Sequence, residues 1–417
     1  MEYLRSFGPG IVVVLTWLGA GDIVDSGVAG GNYEYALMWV LVLAAMVRFV
    51  FVSLIAKYQL CNPHGESVLD GLIRLHAWYA PFLVIASIGL VHVQCSYMLV
   101  GCGETWSGLT GRGATWQWSL LWLLAGLALV FRPMYQRIET VFKVMLAVLA
   151  VSLVGSALWV GPNPAGIFRG AFTFVVPGDV GRIGAMVVAV SMIGALGGSM
   201  MNLAYPYFME MKGWRGPRYR RLQTYDLLLG VAVMIILNLA VWTLGAEVVY
   251  GSSQPVENLD DLTGLLSDIL GPWGRRVFLM GVFAAVFTSY VGIAMVLALI
   301  ASHGFRRWRG GASVAGIDEK STPVYRCVVL WGLISPMIWT IPGMPGFVRM
   351  TVIGNALQVP LLPILAGGVW WITASGQYIG REHRNRIWEN LVMLLTFALA
   401  VWGSIELIRK FVLPADS

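Results

Sequence analysis

Charged residues are scarce in this sequence. Asp, Glu, Lys and Arg make up only 12% of the 417 residues, whereas 58% are hydrophobic. Soluble globular domains carry charge at about 25% of their positions, so the composition excludes that class. Apolar runs of about 20 residues recur along the chain, and each can cross a hydrocarbon core roughly 30 Å thick. The sequence therefore predicts an all-α integral membrane protein that lies in the lipid bilayer.

Known enzyme motifs are also absent. The chain contains no Gly-x-x-x-x-Gly-Lys-Ser/Thr phosphate loop, no His-Glu-x-x-His zinc helix and no Gly-x-Ser-x-Gly nucleophile turn. Its four cysteines show no Cys-x-x-Cys spacing, and we expect buried thiols at Cys61, Cys95, Cys102 and Cys327. The sequence thus predicts neither an enzyme nor a bound cofactor, and transport by such a protein would be secondary.

Eleven apolar stretches are candidate membrane spans. They lie near 8–30, 35–58, 78–103, 116–131, 139–160, 184–209, 223–249, 273–301, 325–341, 346–373 and 387–408. We expect residues 1–417 to form one transmembrane domain, with spans one to five at about 8–160, spans six to ten at about 184–373 and span eleven at about 387–408. Spans one and six each begin a group of five with a glycine-rich interruption. This order predicts a 5+5 inverted repeat with discontinuous helices 1 and 6, followed by an added eleventh span.

The net charge of +6 originates in the loops. In a soluble protein such a charge would suggest nucleic acid as partner, but here the basic residues cluster on one side of the predicted membrane, so no nucleic-acid partner is expected. They are Lys212, Arg215, Arg218, Arg220, Arg221, Arg306, Arg307, Arg309, Lys320, Arg381, Arg384 and Arg386. The positive-inside rule predicts a multi-pass protein of the cell membrane with a cytoplasmic N-terminus and an external C-terminus.

Two of the spans are interrupted by small residues in corresponding positions. Span one contains Thr16-Trp-Leu-Gly-Ala-Gly-Asp22, and span six contains Ile193-Gly-Ala-Leu-Gly-Gly-Ser199. A helix break inside a membrane frees backbone groups that lipid cannot satisfy, so it persists only where those groups line a cavity or bind a ligand. The paired breaks predict the substrate site of a transporter.

Two acids follow the first break. Asp22 lies directly after Gly19-Ala-Gly21, and Asp25 follows one turn later if the helix resumes there. An ionised carboxylate at this depth is costly unless it faces water, a cation or a partner, which favours a functional role. Asp22 would alternatively cap the second half-helix. Carbonyl groups around Gly19 and Ala20 would add hard oxygen ligands suited to a cation.

Polar residues in spans six and ten extend the candidate site. Glycines, among them Gly198, let span six unwind, while Ser199 and Asn202 supply neutral polar groups. Asn355 and Gln358, ahead of Pro360, either complete the site from a third helix or make interhelical hydrogen bonds.

Two further polar residues lie inside apolar runs. Arg48 of span two is too deep to reach the interface easily, so it needs a partner: either a carboxylate of span one, as a built-in counter-ion, or Glu104, Glu247 or a neighbouring carbonyl. His92 of span three either relays protons or is a hydrogen-bonded core group.

The first break resembles that of the Nramp-type divalent metal transporters. The family's opening aligns without a gap with Gly8-Pro9, Gly19-Ala-Gly-Asp22, Ile23, Ala29-Gly30 and Ala36-Leu-Met-Trp39. In the family the break itself is Asp-Pro-Gly-Asn. Two later segments also resemble the family: Glu257-Asn-Leu-Asp-Asp-Leu-Thr-Gly-Leu-Leu before Phe278, and Leu357-Gln-Val-Pro360. The resemblance implies a LeuT-like fold, alternating access and proton-coupled uptake of transition metals.

The chain departs from the family at the ligands. Gly19 replaces the metal-binding aspartate and Asp22 replaces the asparagine. In span six Gly198 stands at the methionine and Met200 at the histidine, while Ser96-Tyr97 stand near the span-three acid linked to proton movement. Loss of the thioether either favours harder ions such as magnesium or manganese over softer ones or abolishes metal transport.

These observations support three hypotheses. The first is a secondary transporter of a divalent metal ion, with protons as a candidate coupling ion. Asp22 is its main carboxylate ligand, carbonyls at Gly19 and Ala195 are further ligands, and Asp25 is a second acid that supports the site or carries a proton. The predicted substrate-binding set is Asp22, Gly19, Ala195, Gly198, Ser199, Asn202 and Asp25. The second hypothesis is a same-fold transporter of an organic cation, amino acid or zwitterion with Arg48 as counter-ion. The third is a non-transporting sensor or partner subunit.

Overall fold

The computed structural model describes residues 19–130, 135–251, 254–311 and 319–412. Almost all of this part of the chain is helical. The helices of its first half are α1 (Ala20–Tyr33), α2 (Met38–Cys61), α3 (Val68–Leu75), α4 (Tyr79–Thr110), α5 (Thr115–Val130), α6 (Tyr135–Val160), α7 (Pro164–Thr173) and α8 (Ala185–Met192). The predicted first half of span one, residues 8–18 with Gly8 and Pro9, lies outside the described residues.

Helix α8 continues as a π-helical turn (Ile193–Gly197), and a 3₁₀ segment (Met200–Ala204) leads into the next helix. The remaining helices are α9 (Tyr205–Met211), α10 (Arg220–Leu244, extended by a π-helical turn Gly245–Val249), α11 (Leu259–Trp308), α12 (Pro323–Ile334, extended by a 3₁₀ segment Ser335–Thr340), α13 (Phe347–Ala356), α14 (Leu362–Ala374), α15 (Gly376–Ile379) and α16 (Ile387–Val412).

Eight helical stretches within the described ranges are long and apolar enough to cross a membrane, and α5 is a shorter apolar helix. Each predicted span from residue 35 onward falls on helical residues, and spans six and ten each take in two helices, α8 with α9 and α13 with α14. Span eight is longer than predicted, because α11 begins at Leu259 under an Asn258–Asp261 capping box. A kink at Gly271, whose φ is 62°, precedes Pro272 and separates this outer section from the apolar run.

Helix α1 is held tightly against α10 by small residues. A Cβ atom at Gly30 would lie 2.5 Å from the Trp242 carbonyl oxygen, and one at Gly245 would lie 2.8 Å from the Gly31 nitrogen. Only glycine permits such close backbone approach between membrane helices. Asn32 adds a two-way hydrogen bond with the backbone of Val256, at 3.1 and 2.7 Å. The half-helix that follows the first break is therefore fixed against span seven.

Ion pairs anchor the two ends of α16 at different places. Near its start, Lys57 Nζ of α2 lies 2.8 Å from Glu389 Oε2. Near its far end, Lys410 Nζ lies 3.1 Å from Asp179 Oδ2, in the segment before α8. Since α16 runs for 26 residues between these contacts, the two ion pairs belong to opposite ends of the helix bundle.

Three of the four cysteines are buried as predicted, but the prediction for Cys327 is wrong. Its side chain is exposed on α12, on a helix that also exposes Leu330, Trp331 and Ile334. An apolar neighbourhood in the sequence does not distinguish a protein-facing from a lipid-facing side chain, because both environments are apolar.

Candidate functional site

The first break ends at Gly19, which is the N-cap of α1. Gly19 has extended φ and ψ angles of −71° and 156°, and the Asp22 N–H donates to its carbonyl oxygen at 3.0 Å. Asp22 is the third residue of the helix, and no side chain caps the helix at Gly19. The alternative that Asp22 occupies the N-cap position is therefore wrong. Its charge instead lies in the first turn, where the helix dipole stabilises an anion.

The Asp22 side chain has an uncommitted oxygen. The residue is only 4% exposed, yet its Oδ2 atom has no hydrogen-bond partner among the described residues. Buried polar atoms are nearly always paired, so an unpaired carboxylate oxygen requires an explanation. A ligand at Oδ2 would supply the missing partner.

Asp25 is one turn further along α1 and has different surroundings. It is completely buried, and both of its carboxylate oxygens accept hydrogen bonds from the protein. Ser191 Oγ donates to Oδ1 at 2.7 Å, and Asn355 Nδ2 donates to Oδ2 at 3.0 Å. Asp25 is thus committed to α8 and α13.

The second break lies between the π-helical turn and the 3₁₀ segment of span six. Gly198 (φ −150°, ψ 90°) and Ser199 (φ −98°, ψ 151°) are extended there. An extended backbone cannot continue the helical ladder, so carbonyls in the last turn before it, including that of Ala195, have no helical donor ahead of them. The second break therefore offers backbone oxygens and the partly exposed side chain of Ser199.

Spans six and ten meet through hydrogen bonds at this break. Ser199 Oγ accepts the Met201 N–H at 3.2 Å and donates to Gln358 Oε1 at 2.7 Å. Gln358 Nε2 donates to Asn355 Oδ1 at 3.4 Å, and Tyr97 OH donates to the same oxygen at 2.9 Å. We call the series Asp25, Asn355, Gln358, Ser199 the polar chain.

The polar chain connects the two breaks. It joins α1 to the 3₁₀ segment of span six by way of span ten, and its outer contacts were not predicted. Ser191 is a single hydroxyl residue in an apolar run, and Tyr97 stands with Ser96 near the position of the family's span-three acid. The sequence carries no signal that Ser191 faces Asp25 or that Tyr97 faces Asn355. Asn202, another predicted site residue, is buried just past the break, where its N–H donates to the Ser199 carbonyl at 3.0 Å.

Arg48 is buried in α2 and lies within electrostatic range of Asp22. Its NH1 group donates to Met234 Sδ of α10 at 3.3 Å. The other acids considered as partners are engaged elsewhere: Glu104 accepts the Phe347 N–H at 3.0 Å, and Glu247 accepts the Tyr35 hydroxyl at 2.9 Å. Arg48 therefore contributes positive charge beside Asp22 while the Oδ2 atom of that acid stays unpaired.

His92 lies against span nine. Its Nδ1 is 2.8 Å from Ser335 Oγ, and Trp339 Nε1 donates to its Nε2 at 3.1 Å. None of these contacts involves the polar chain or Asp22, so the structure does not bring His92 together with the other predicted site residues.

The site is poor in strong metal ligands. No group of three or more His, Cys, Asp or Glu side chains is placed to hold a metal ion anywhere in the described ranges. A cation beside Asp22 would therefore bind mainly to carbonyl, amide and hydroxyl oxygens. Such a donor set suits hard cations and tolerates retained water.

Within the described residues, a helix that begins at Ala20 is joined by hydrogen bonds to a second helical span that is interrupted at Gly198 and Ser199. A membrane bundle with such helix ends inside it is typical of secondary transporters built from inverted repeats. A family model described as "Natural resistance-associated macrophage protein-like", or Nramp, matches residues 10–410. The chain belongs to this family.

Curated relatives and solved structures agree with this assignment. A "Divalent metal cation transporter MntH" of Acidiphilium cryptum is 24% identical over 68% of this chain and 66% of its own length. Another of Verminephrobacter eiseniae is 20% identical over 97% and 89%. A mutant manganese transporter of Eremococcus coleocola superposes with TM-score 0.75 and 15% identity, covering 100% of this chain and 89% of that one. MhsT, solved with L-phenylalanine, superposes with TM-score 0.56 and 16% identity over 96% and 97%. The fold is therefore LeuT-like, as predicted.

Proposed function

We propose that this protein is a secondary transporter that moves a divalent metal ion, such as manganese or magnesium, across the membrane by alternating access. The observation that carries the proposal is the buried Asp22 Oδ2, which has no hydrogen-bond partner among the residues that the structure describes. The relatives named as divalent metal cation transporters supply independent support.

In this proposal Asp22 is the charged ligand, and carbonyls at Gly19 and Ala195 are the neutral ligands. The side chains of Ser199 and Asn202 and the backbone at Gly198 line the site. A single carboxylate binds a hard ion weakly enough for release, which transport requires, whereas a cage of several carboxylates would hold it. Protons are a candidate coupling ion, to be tested by an imposed pH gradient.

The alternative, an organic solute with Arg48 as counter-ion to Asp22, has less support. It expects the guanidinium to occupy the carboxylate, whereas Arg48 donates to Met234 Sδ and Asp22 Oδ2 accepts no hydrogen bond. This alternative can be tested in the same proteoliposomes, since they allow uptake of both metal ions and organic solutes to be measured.

We also propose a cytoplasmic N-terminus and an external C-terminus in the cell membrane. The end of the bundle that holds Lys57 and the start of α16 also holds Arg220, which donates to the Ser53 carbonyl at 3.0 Å. This end collects basic residues, as the positive-inside rule expects of the cytoplasmic side.

The test is uptake of manganese and magnesium by protein reconstituted into liposomes, with and without a pH gradient. Asp22→Ala is compared with Asp268→Ala, since Asp268 is an exposed acid of the α11 outer section whose carboxylate contacts Ser267. Saturable uptake that Asp22→Ala abolishes and Asp268→Ala retains is the expected result. Absence of uptake of either ion by folded wild-type protein would reject the proposal.

A further inference from the structure

Asn355 is the point at which both broken spans meet. A Cβ atom at Gly21, in the first turn of α1, would lie 2.8 Å from Asn355 Nδ2, so the α1 backbone rests directly on this side chain. A Cβ atom at Gly194, in the π-helical turn of span six, would overlap the Asn355 carbonyl oxygen. Asn355 is only 2% exposed and contacts the two breaks from span ten.

The hydrogen bonds of Asn355 leave one consistent orientation of its amide. Gln358 Nε2 and Tyr97 OH both donate to the Oδ1 atom, so the Nδ2 group faces Asp25 Oδ2. An amide nitrogen only donates and an ionised carboxylate only accepts, which makes Asp25 and Asn355 complementary. The orientation follows from the network, since the two amide atoms are distinguished by their neighbours.

Asp25 and Asp22 are not interchangeable as ligands. Coordination by Asp25 would require it to give up a donor from Ser191 or Asn355 inside the membrane, which costs the pairing of a buried polar group. Asp22 has an oxygen to offer without such a loss.

We propose that Asp25 and Asn355 are a positioning pair for the substrate site. The pair contacts no substrate itself. It fixes the first turn of α1, and thereby the direction of the Asp22 carboxylate, against span ten, and through Gln358 it fixes Ser199 at the second break. The inference rests on the proposed function. It gives Asp25 and Asn355, which are not among the proposed ligands, a role in setting the affinity for the substrate.

The test uses an exchange of the two side chains, measured by manganese uptake at pH 8. Asn355→Asp places two carboxylates 3.0 Å apart and is expected to raise KM at least about tenfold with a smaller change in kcat. The double exchange D25N/N355D restores complementarity, because residue 25 again accepts from Ser191 and now donates to residue 355, which accepts from Tyr97 and Gln358. Its KM is expected within about threefold of wild type.

Asn390→Asp is the matched control. Asn390 Oδ1 accepts from Trp370 Nε1 at 2.9 Å, a role that a carboxylate oxygen can take, and Asn390 lies on α16 away from the polar chain. This variant should keep the wild-type KM. All variants are checked for monodispersity and melting temperature before reconstitution.

The uptake measurements distinguish a positioning role of Asp25 and Asn355 from a direct requirement for the carboxylate at residue 25. A folded double exchange that transports no better than Asn355→Asp would overturn the proposal, because the carboxylate would then be required on span one itself. A wild-type KM in Asn355→Asp would overturn it equally. If wild-type protein takes up neither ion, the proposed function itself fails. If wild-type protein transports and Asp22→Ala transports equally well, metal transport stands, and the role of the pair in directing the Asp22 carboxylate is overturned.

Discussion

Asp22 and Asp25 lie one turn apart on the same half-helix and are almost equally buried, but their surroundings differ completely. Asp25 has a protein donor on each oxygen, whereas Asp22 Oδ2 has none within the described part of the chain. The comparison teaches that burial of an acid inside a membrane does not define its role. What separates a structural acid from a ligand is whether its hydrogen-bonding capacity is already used.

Because of this difference, substitutions at the two positions should affect stability and transport to different extents. Removing the Asp25 carboxylate strands the donors on both of its oxygens, whereas removing that of Asp22 strands none at Oδ2. Substitutions at Asp22 should therefore affect transport more than folding, and substitutions at Asp25 should affect both.

The largest effect is expected for Asp22→Asn compared with Asp25→Asn. Asp22→Asn keeps the shape but removes the only charged ligand, so initial uptake of manganese should fall at least about 100-fold. Asp25→Asn should keep about a tenth or more of the uptake, because both amides of the polar chain can turn over and keep each contact hydrogen-bonded, with Tyr97 and Ser199 accepting where they now donate. Equal losses in the two variants, measured in proteoliposomes with matched protein content, would remove the distinction between the acids.

Stability should rank the two positions in reverse. Asp25→Leu leaves the Ser191 hydroxyl and the Asn355 amide without their acceptor and should lower the free energy of unfolding by about 2 kcal/mol. Asp22→Leu should lower it less, because Oδ2 has no donor among the described residues to strand, although the buried Arg48 loses a nearby negative charge. Thermal unfolding in detergent checks this order, and a greater loss in Asp22→Leu would show that Asp22 has a stabilising partner.

The sequence predicts the breaks better than the contacts between them. Glycine clusters mark both interruptions because glycine tolerates an unwound backbone inside a membrane span. The helix start at Ala20 and the extended Gly198 and Ser199 follow that expectation. The pairing of Asp25 with Asn355 joins residues 330 positions apart, and no local pattern encodes which polar residues of different helices will meet. Asp is a preferred capping residue, so the sequence offered Asp22 as the N-cap, whereas the structure has the N-cap at Gly19, three residues earlier.

The charge of Arg48 should set how strongly Asp22 attracts a cation. Arg48→Met removes a buried positive charge within electrostatic range of the carboxylate and should lower the KM for manganese about tenfold. Arg48→Lys keeps the charge and should stay near the wild-type KM. A rise in KM in Arg48→Met would mean that the guanidinium holds Asp22 in its binding orientation.

A smaller effect is expected at the far end of the polar chain. Ser199→Ala removes the donor to Gln358 Oε1 and should raise the KM about threefold. The control is Ser404→Ala, since that hydroxyl bonds only to the carbonyl of Ala400, one turn back on α16, at 2.6 Å. If the two variants behave alike in uptake assays, Ser199 does not connect the polar chain to the second break.

The smallest effect on uptake is expected from substitution of His92. Unlike Asp22 and Asp25, its side chain makes both of its hydrogen bonds to residues of span nine. An indole N–H only donates, so the bond from Trp339 makes Nε2 an acceptor and places the ring hydrogen on Nδ1, facing Ser335. A neutral ring with both nitrogens engaged cannot take up a proton without losing the Trp339 bond. His92→Phe keeps the ring beside Trp331 and should change uptake less than twofold, with the same pH profile as wild type. A flattened pH profile in this variant would instead place His92 on the path of a coupled proton and separate proton movement from the polar chain.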